Sequence, residues 1–196
     1  MSPDHDKTSR RRPMKGLFGR LLTRRDGATA IEFALLALPF LIIVFASLET
    51  FIAFSAEQLF ANANETMARK IRTGQITSAM SKEDYRKAFC EEIKLLMPCS
   101  ATEAKTEGKL YIHVEKFDDY SAITPTVAIV EDNLDTASFK FAPGGRKSIN
   151  IVRAYYRWDV ITDLVRPLIT SIKTTDGLSR SYLMVATTIV QNEDYP

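Results

Sequence analysis

Residues 28–48 read ATAIEFALLALPFLIIVFASL, and this stretch decides the fold. Only Thr29, Glu32, Pro39 and Ser47 in it are not plainly apolar. As a helix, these 21 residues would span roughly 31 Å at about 1.5 Å each, which is the thickness of the hydrocarbon core of a bilayer. A soluble domain of this size does not need a helix that is apolar on every face. The stretch therefore predicts a membrane-spanning helix in preference to a buried core helix.

A basic segment precedes the apolar stretch. Residues 1–27 contain eight Lys or Arg and three Asp or Glu residues, although the whole chain has a net charge of only +2. Short basic flanks stay on the cytoplasmic side of a membrane helix. The sequence thus predicts a cytoplasmic N-terminus and a C-terminal part outside the cytoplasm. The alternative for the basic segment is a nucleic-acid-binding arm at residues 10–12, but we expect no nucleic-acid partner because a membrane helix follows so closely.

A cleaved secretory signal is a further alternative for the N-terminal region. The apolar stretch is longer than the 7–15 residues typical of a signal peptide core. The nearest site with small residues at the required spacing is residues 61–63, well beyond the stretch. We therefore expect the membrane helix to remain in the mature protein.

A short motif crosses the boundary between the basic segment and the apolar stretch. It reads GATAIEF over residues 27–33, and it resembles the cleavage motif of type IV prepilins. The Glu32-Phe33 pair, the adjoining apolar sequence and the total length resemble the TadE-like pseudopilins of the bacterial tight-adherence (Tad/Flp) pilus system. The resemblance implies that a prepilin peptidase of the inner membrane cuts between Gly27 and Ala28.

The resemblance also implies a helix-pairing motif at Glu32 and Phe33. Cleavage would leave a cationic amine on Ala28, one helical turn from the Glu32 carboxylate, so the two charges could pair within a chain or between neighbours. In pilins such a pair sets the axial register between subunits. A carboxylate in a membrane helix is otherwise costly. The alternative for Glu32 is an interfacial residue wetted by lipid head groups.

Three segments of the C-terminal half also resemble TadE-like proteins. They are FAPGG at 141–145, IVRAYYRW at 151–158 and VQNE at 190–193. Asp194 departs from the family, in which many relatives have Pro, and this difference puts any role of the tail in doubt.

The family implies a minor pilin or pseudopilin that supports assembly of adhesive pili, and with it adherence and biofilm formation. Its partners would be the membrane, the prepilin peptidase, other Tad pilins and pseudopilins, and the assembly platform of the bacterial inner membrane. The C-terminal part would be periplasmic. The alternative is an uncleaved, single-pass signal-anchored module with a binding or structural role in the periplasm.

The remaining pattern predicts an α+β fold. The domains expected are a cytoplasmic leader (1–27), a transmembrane helix (28–50) and an extracytoplasmic stem and head (51–196). Apolar residues at spacings of three and four continue the helix as a stem from Phe51 to about residue 73. A capping box at Ser81 begins a second short helix. Alternating strands near residues 110–114, 148–161 and 181–190, joined by a connection over 162–180, predict a small antiparallel sheet, a pilin-like head. The residues expected on one face of the second strand are Val152, Ala154, Tyr156, Trp158 and Val160, and those expected to face inward on the last strand are Leu183, Val185 and Ile189.

Cys90 and Cys99 are the only cysteines. In an oxidising compartment they are expected to form a disulfide. Two buried free thiols, or a metal site, are the alternatives. Zinc requires four clustered ligands, and the two histidines, His5 and His113, fall on opposite sides of the predicted membrane. We therefore expect no metal.

Motifs for catalysis are not found in the sequence. It has no glycine-rich phosphate loop, no Gly-x-Ser-x-Gly and no cysteine with a credible histidine partner. We therefore expect no enzymatic activity and no cofactor, against the alternative of a membrane-anchored enzyme.

Three other groups of residues are given structural interpretations. The aromatic residues at 155–158 are interpreted as strand core in preference to an adhesive patch. His113 is interpreted as an ordinary surface or half-buried strand residue, and Asp118-Asp119 as a solvated turn.

Overall fold

The computed structural model describes residues 28–123, 129–130, 133–160 and 181–195. The chain forms two compact units, residues 1–45 and residues 46–196. A single helix of 45 residues, α1 (Ala28–Arg72), contributes to both units. The fold class predicted from the sequence, α+β with a long apolar N-terminal helix, is confirmed.

The described part of the first unit is the beginning of α1. Its large apolar side chains are exposed instead of packed, as at Phe33 (73% exposed) and Leu36 (74%). Pro39 lies inside the helix. Because proline has no amide hydrogen, the carbonyl oxygen of Leu35 lacks its usual helical donor. A membrane helix tolerates such a break more readily than a water-exposed helix.

In the second unit, α1 buries one stripe of side chains. Ala56, Phe60, Ala63, Met67 and Ile71 are at most 3% exposed, and their spacing of three and four residues places them on one face. The helix ends before Gly74, whose positive φ of 75° suits a residue without a Cβ atom.

The predicted continuation of the helix from Phe51 to about residue 73 is confirmed, since α1 ends at Arg72. The side chains of Phe51 and Ile52 are 69% and 46% exposed. Burial begins only at Ala56. The exposed apolar surface of α1 therefore extends beyond residue 48, where the sequence analysis ended the apolar run.

Two short helices follow α1. The first, α2 (Lys82–Ile93), begins where the capping box predicted, since the Ser81 hydroxyl accepts a hydrogen bond of 3.0 Å from the amide of Asp84. The second, α3 (Ala101–Lys105), is capped in the same way by Ser100. A 3-10 turn covers Tyr120–Ala122.

Four strands form the main sheet, in the order β4-β1-β5-β6. They are β1 (Leu110–Phe117), β4 (Phe141–Ala142), β5 (Ile149–Asp159) and β6 (Ser181–Gln191). A separate hairpin pairs β2 (Ile129–Val130) with β3 (Asn133–Leu134). The connection predicted over residues 162–180 lies outside the described residues.

The sheet is mixed, whereas the sequence analysis expected it to be antiparallel throughout. The pairs β1–β5 and β5–β6 are antiparallel as expected, but β4 pairs with β1 in parallel, with Val114 opposite Phe141. The strand β4 has only two residues. Such a short segment carries no alternation from which its direction could be predicted.

The main core lies between α1, α2 and one face of the sheet. On β5 it includes Val152, Ala154, Tyr156 and Trp158, the face that the sequence predicted to be one surface of the strand. The residue between them, Tyr155, is also buried, in a smaller cluster with Tyr111, Leu134 and Leu183. Both faces of β5 are therefore covered. This confirms the prediction that the aromatic residues at 155–158 belong to the core of the strand.

The predicted inward face of β6 is wrong. Leu183, Val185 and Ile189 were expected in the main core, but Met184 and Ala186 occupy it. The register explains this: Met184 lies opposite Tyr156 and Ala186 opposite Ala154, and opposite residues project to the same face. Leu183 and Val185 pack in the smaller cluster instead, while Ile189 is 44% exposed.

Candidate functional site

The apolar surface of α1 is the first candidate for a functional site. Within the described residues, α1 is the one helix long and apolar enough to cross a membrane. Leaving one such side chain exposed to water is less favourable than burying it fully, by a free energy of about 1.5–3 kcal/mol. Lipid or other apolar helices would cover this surface, and it is compatible with a single-pass membrane anchor. Its members are Ile31, Phe33, Leu35, Leu36, Leu38, Phe40, Leu41, Ile42, Ile43, Phe45, Leu48, Phe51, Ile52 and Phe54.

Glu32 is the one acidic residue in the part of α1 between Ala28 and Leu48. It is the fifth residue of the helix and is exposed. The distance along the axis from Ala28 is about 6 Å, one helical turn. Amide groups at a helix N-terminus lack intrahelical acceptors, and the helix dipole favours a negative charge there. Gly27, the predicted cleavage residue, lies outside the described residues, as does the leader at 1–27.

Phe33, the other residue of the predicted pairing motif, projects its ring away from the chain. Its side chain is 73% exposed. A lone carboxylate followed by an exposed aromatic ring offers a neighbouring helix one polar and one apolar contact. The structure therefore places both motif residues where a second molecule could contact them.

A disulfide between Cys90 and Cys99 joins the end of α2 to the residue before the cap of α3. The two Cα atoms are 5.3 Å apart. The loop between them is held from inside the head, since the Tyr156 hydroxyl donates a hydrogen bond of 2.8 Å to the carbonyl oxygen of Pro98. Met97 is fully buried. In the chain-entropy view, such a short crosslink contributes about 2–3 kcal/mol.

The segments at 141–145 and 190–193, which resembled TadE-like proteins separately, meet in space. The Asn150 side-chain oxygen accepts from the amide of Gly144 at 2.7 Å. The Asn192 side-chain amide donates to the carbonyl oxygens of Gly144 and Gly145, both at 2.9 Å. A Cβ atom at Gly144 would collide with the Ser148 side chain, whose own Cβ would be 2.8 Å away, so this turn favours glycine.

The tail beyond β6 continues to the end of α1. The amide of Glu193 donates to the carbonyl oxygen of Arg72 at 2.9 Å, and the Tyr195 ring occupies the space beside Gly74. Asp194, at which the sequence analysis expects Pro in many relatives, pairs with Arg146 and, at 2.7 Å, with Lys147. These bonds lower the pKa of the Asp194 carboxyl. The tail is thus a clasp, residues 192–195, between α1 and the 143–148 turn.

Arg86 is a structural centre that the sequence analysis missed. Its side chain is 2% exposed and donates to the carbonyl oxygens of Glu103, Ala104 and Leu110. The Glu103 carboxylate accepts from Arg86 and from three backbone amides, residues 108–110. The sequence held one signal for its burial: Arg86 adjoins Tyr85, which belongs to the apolar stripe of α2, and the structure buries both residues.

His113 lies in β1, as predicted, but it is only 9% exposed, whereas its alternation predicted a surface or half-buried position. Its Nδ1 atom accepts a hydrogen bond of 3.0 Å from the amide of Lys140, so this nitrogen carries no proton. Burial lowers the pKa of His113, Glu115 opposes this shift, and Arg153 and Lys140 add to it. No group of three or more His, Cys, Asp or Glu side chains lies together within the residues that the structure describes.

Comparison with known proteins finds one family. Residues 27–69 match the family model described as TadE-like protein. No curated protein and no solved structure matches. The matched segment begins at the predicted cleavage residue and contains the whole exposed apolar part of α1. The resemblance predicted from the 27–33 motif is therefore confirmed over residues 27–69, where this chain is similar to the TadE-like family.

Proposed function

We propose that this protein is a minor pilin or pseudopilin that supports assembly of an adhesive Tad pilus. The observation that carries the proposal is an apolar helix, exposed from Ile31 to Phe54, within a segment matching the TadE-like family. Such a helix can lie in a bilayer and can equally pack against similar helices. Its function is therefore packing, and no catalytic turnover is involved.

The first step of the proposed mechanism is removal of the leader. The basic residues of 1–27 hold the chain at the anionic cytoplasmic leaflet. A prepilin peptidase cuts between Gly27 and Ala28, and this releases the helix from its electrostatic anchor. The new amine on Ala28 then lies one turn from Glu32.

The second step is transfer of α1 from lipid to a helix bundle. The transfer exchanges apolar contacts for apolar contacts, so it has little hydrophobic driving force. A pair between the Ala28 amine and Glu32 of the same or a neighbouring chain is strong in the low dielectric of the bundle. This pair selects one axial register, and Phe33 packs beside it. Other Tad pilins, pseudopilins and the inner-membrane assembly platform are the proposed partners.

The proposed location is the bacterial inner membrane, crossed once. The positive charge of residues 1–27 supports a cytoplasmic N-terminus, which makes the head periplasmic. The disulfide between Cys90 and Cys99 supports the same orientation, because the cytoplasm keeps thiols reduced. In the alternative, the chain is an uncleaved anchor whose head binds in the periplasm.

The mature N-terminus distinguishes these two functions. Intact-mass measurement of the membrane-bound protein, from cells with an active prepilin peptidase, is expected to give a chain that begins at Ala28. Gly27→Val should block cleavage because a β-branched side chain crowds a site built around glycine. Gly19→Val, in the same leader, is the matched control and should be cleaved normally. An uncleaved wild-type chain from Met1 to Pro196 would exclude the pseudopilin and favour the anchored module.

A further inference from the structure

The two cysteines of the disulfide differ in their surroundings. Cys90 is 6% exposed and belongs to the main core, with Phe89 and Ile93 on the same helix. Cys99 is only partly buried and packs against the rim of that core. A thiol from solvent can therefore approach Cys99 far more easily than Cys90.

An open groove leads to this disulfide. It has a volume of about 200 Å³ and runs between α2 and α3, with both cysteines in its lining. Ala101 and Ala104 form part of its wall and leave room because their side chains are small. The wall also carries two lysines, Lys87 and Lys105, and two glutamates, Glu83 and Glu91.

The groove walls are balanced in charge, since two lysines oppose two glutamates. Size and access, and not net charge, therefore decide which thiol can enter. The residues on either side of Cys99 are held in place, since the Pro98 carbonyl oxygen accepts a hydrogen bond from Tyr156 and Ser100 caps α3. A thiol that enters meets a sulfur atom whose position is set by the fold.

We propose that this groove is a docking site for thiol–disulfide exchange and that Cys99 is the sulfur at which exchange takes place. The ligand class is a thiol or disulfide on a small molecule or on an extended segment of an oxidoreductase. The proposal rests on the proposed function only for the compartment, because a periplasmic head would meet such oxidants during folding.

The exchange is balanced in both directions. In reduction, an incoming thiolate attacks Cys99 Sγ and forms a mixed disulfide, while Cys90 leaves as a thiolate that takes a proton from water. A second thiol of the reductant then attacks the reductant's sulfur in this mixed disulfide and expels Cys99 as a thiolate, so the reductant ends as a disulfide and both cysteines are reduced. In oxidation, the Cys99 thiolate first attacks the disulfide of the oxidant and expels one of its sulfurs. The Cys90 thiolate then attacks Cys99 Sγ and expels the other, so the oxidant ends as two thiols.

The test fills the groove without touching the disulfide. Ala101→Trp places a large side chain in the groove, and Thr102→Trp, at the next residue and also exposed, is the matched control. Full-length protein in detergent micelles is treated with reduced glutathione or with reduced thioredoxin, and loss of the disulfide is followed by thiol labelling. The proposal expects Ala101→Trp to slow reduction at least about fivefold, because exchange depends on access. Thr102→Trp should leave the rate unchanged.

The two reagents separate the two sources of the thiol. Slowing with thioredoxin alone assigns the groove to a protein segment, and equal slowing with both assigns it to any small thiol. Wild-type rates in Ala101→Trp with both reagents would overturn the proposal. So would equal slowing by Thr102→Trp. Because purified protein is used, the result is independent of any role in a pilus.

The identity of the exchanging sulfur needs a second measurement. With oxidised glutathione, folded Cys90→Ser should form a mixed disulfide at Cys99 at least about tenfold faster than Cys99→Ser forms one at Cys90, because a buried thiol is inert. The same pair in guanidinium, where burial is lost, should react at similar rates. Equal rates in the folded variants, or a faster Cys90, would contradict the assignment to Cys99.

Discussion

The side chains of Asn150 and Asn192 join the beginning of β5 to the residue after β6. The Asn150 amide donates to the Asn192 oxygen at 3.0 Å, and both residues are at most 4% exposed. Each asparagine also bonds to the 143–145 turn. A buried polar pair of this kind is stable because both partners are satisfied. It connects two segments that are 42 residues apart in the sequence.

Removal of Asn192 should destabilise the head. Asn192→Ala removes the oxygen that accepts from the Asn150 amide. It also removes the amide that donates to the carbonyl oxygens of Gly144 and Gly145. We expect a loss of about 1–3 kcal/mol in the free energy of unfolding. Gln191→Ala is the matched control, because that exposed side chain makes, within the described residues, one long hydrogen bond of 3.4 Å to the Lys147 carbonyl oxygen. Denaturant unfolding followed by Trp158 fluorescence measures both, and equal stability of the two variants would contradict the role of the clasp.

Arg86 should matter more than its neighbour on the same helix. Arg86→Met keeps most of the buried volume but leaves the Glu103 carboxylate without its cationic partner, at a cost of about 3–5 kcal/mol. Lys87→Met alters an exposed residue and should change stability by less than about 0.5 kcal/mol. Thermal unfolding by circular dichroism measures the difference. If both variants melt together, Arg86 does not hold α3 to the sheet.

His113 should make the head less stable in mild acid. Burial lowers the pKa of the His113 imidazole in the folded protein. In the unfolded chain the pKa of a histidine is about 6.5. The unfolded state therefore binds the proton more readily, and the stability contributed by neutral His113 is complete above that value and is lost as pH falls below it. The hydrogen bond from Lys140 to Nδ1 acts in the same direction.

The measurement is thermal unfolding of the full chain at pH 7.5 and at pH 5.5. The wild type should lose more stability between these two conditions than His113→Gln, which cannot titrate. An identical pH dependence in the two proteins would show that His113 is not the responsible group.

Sequence patterns predicted long elements well in this fold. The apolar run at 28–48, the Ser81 cap and the alternation in β5 each carry a local signal that the structure repeats. The inward face of β6 was missed because both of its faces are apolar: Leu183 and Val185 alternate with Met184 and Ala186. Only the register with β5 decides between them, and register depends on contacts that are distant in the sequence.

In the candidate site, too, residues with a local sequence signal were predicted, and features that join distant segments were not. Glu32 was identified from sequence because a charge interrupts an apolar run. The clasp at residues 192–195 and the groove beside Cys99 were not, because each joins segments from different elements. Asp194 was expected to weaken any role for the tail, yet its pairs with Arg146 and Lys147 provide a contact that a proline could not make.

The account depends most directly on Glu32 as the residue that pairs α1 with other helices. Glu32→Ala makes the helix more apolar, so membrane insertion should be retained and cleavage should be largely unaffected. When helices pack away from water, the Ala28 amine is then left unpaired, which costs several kcal/mol and disfavours the assembled state. Glu65→Ala, an exposed change in the stem part of the same helix, is the matched control.

The decisive measurement is pilus production by cells that carry Glu32→Ala, compared with Glu65→Ala cells at matched protein levels in the membrane. The account predicts loss of piliation and of surface attachment in the first strain only. Wild-type piliation in the Glu32→Ala strain would contradict the pairing mechanism and leave Glu32 as an interfacial residue.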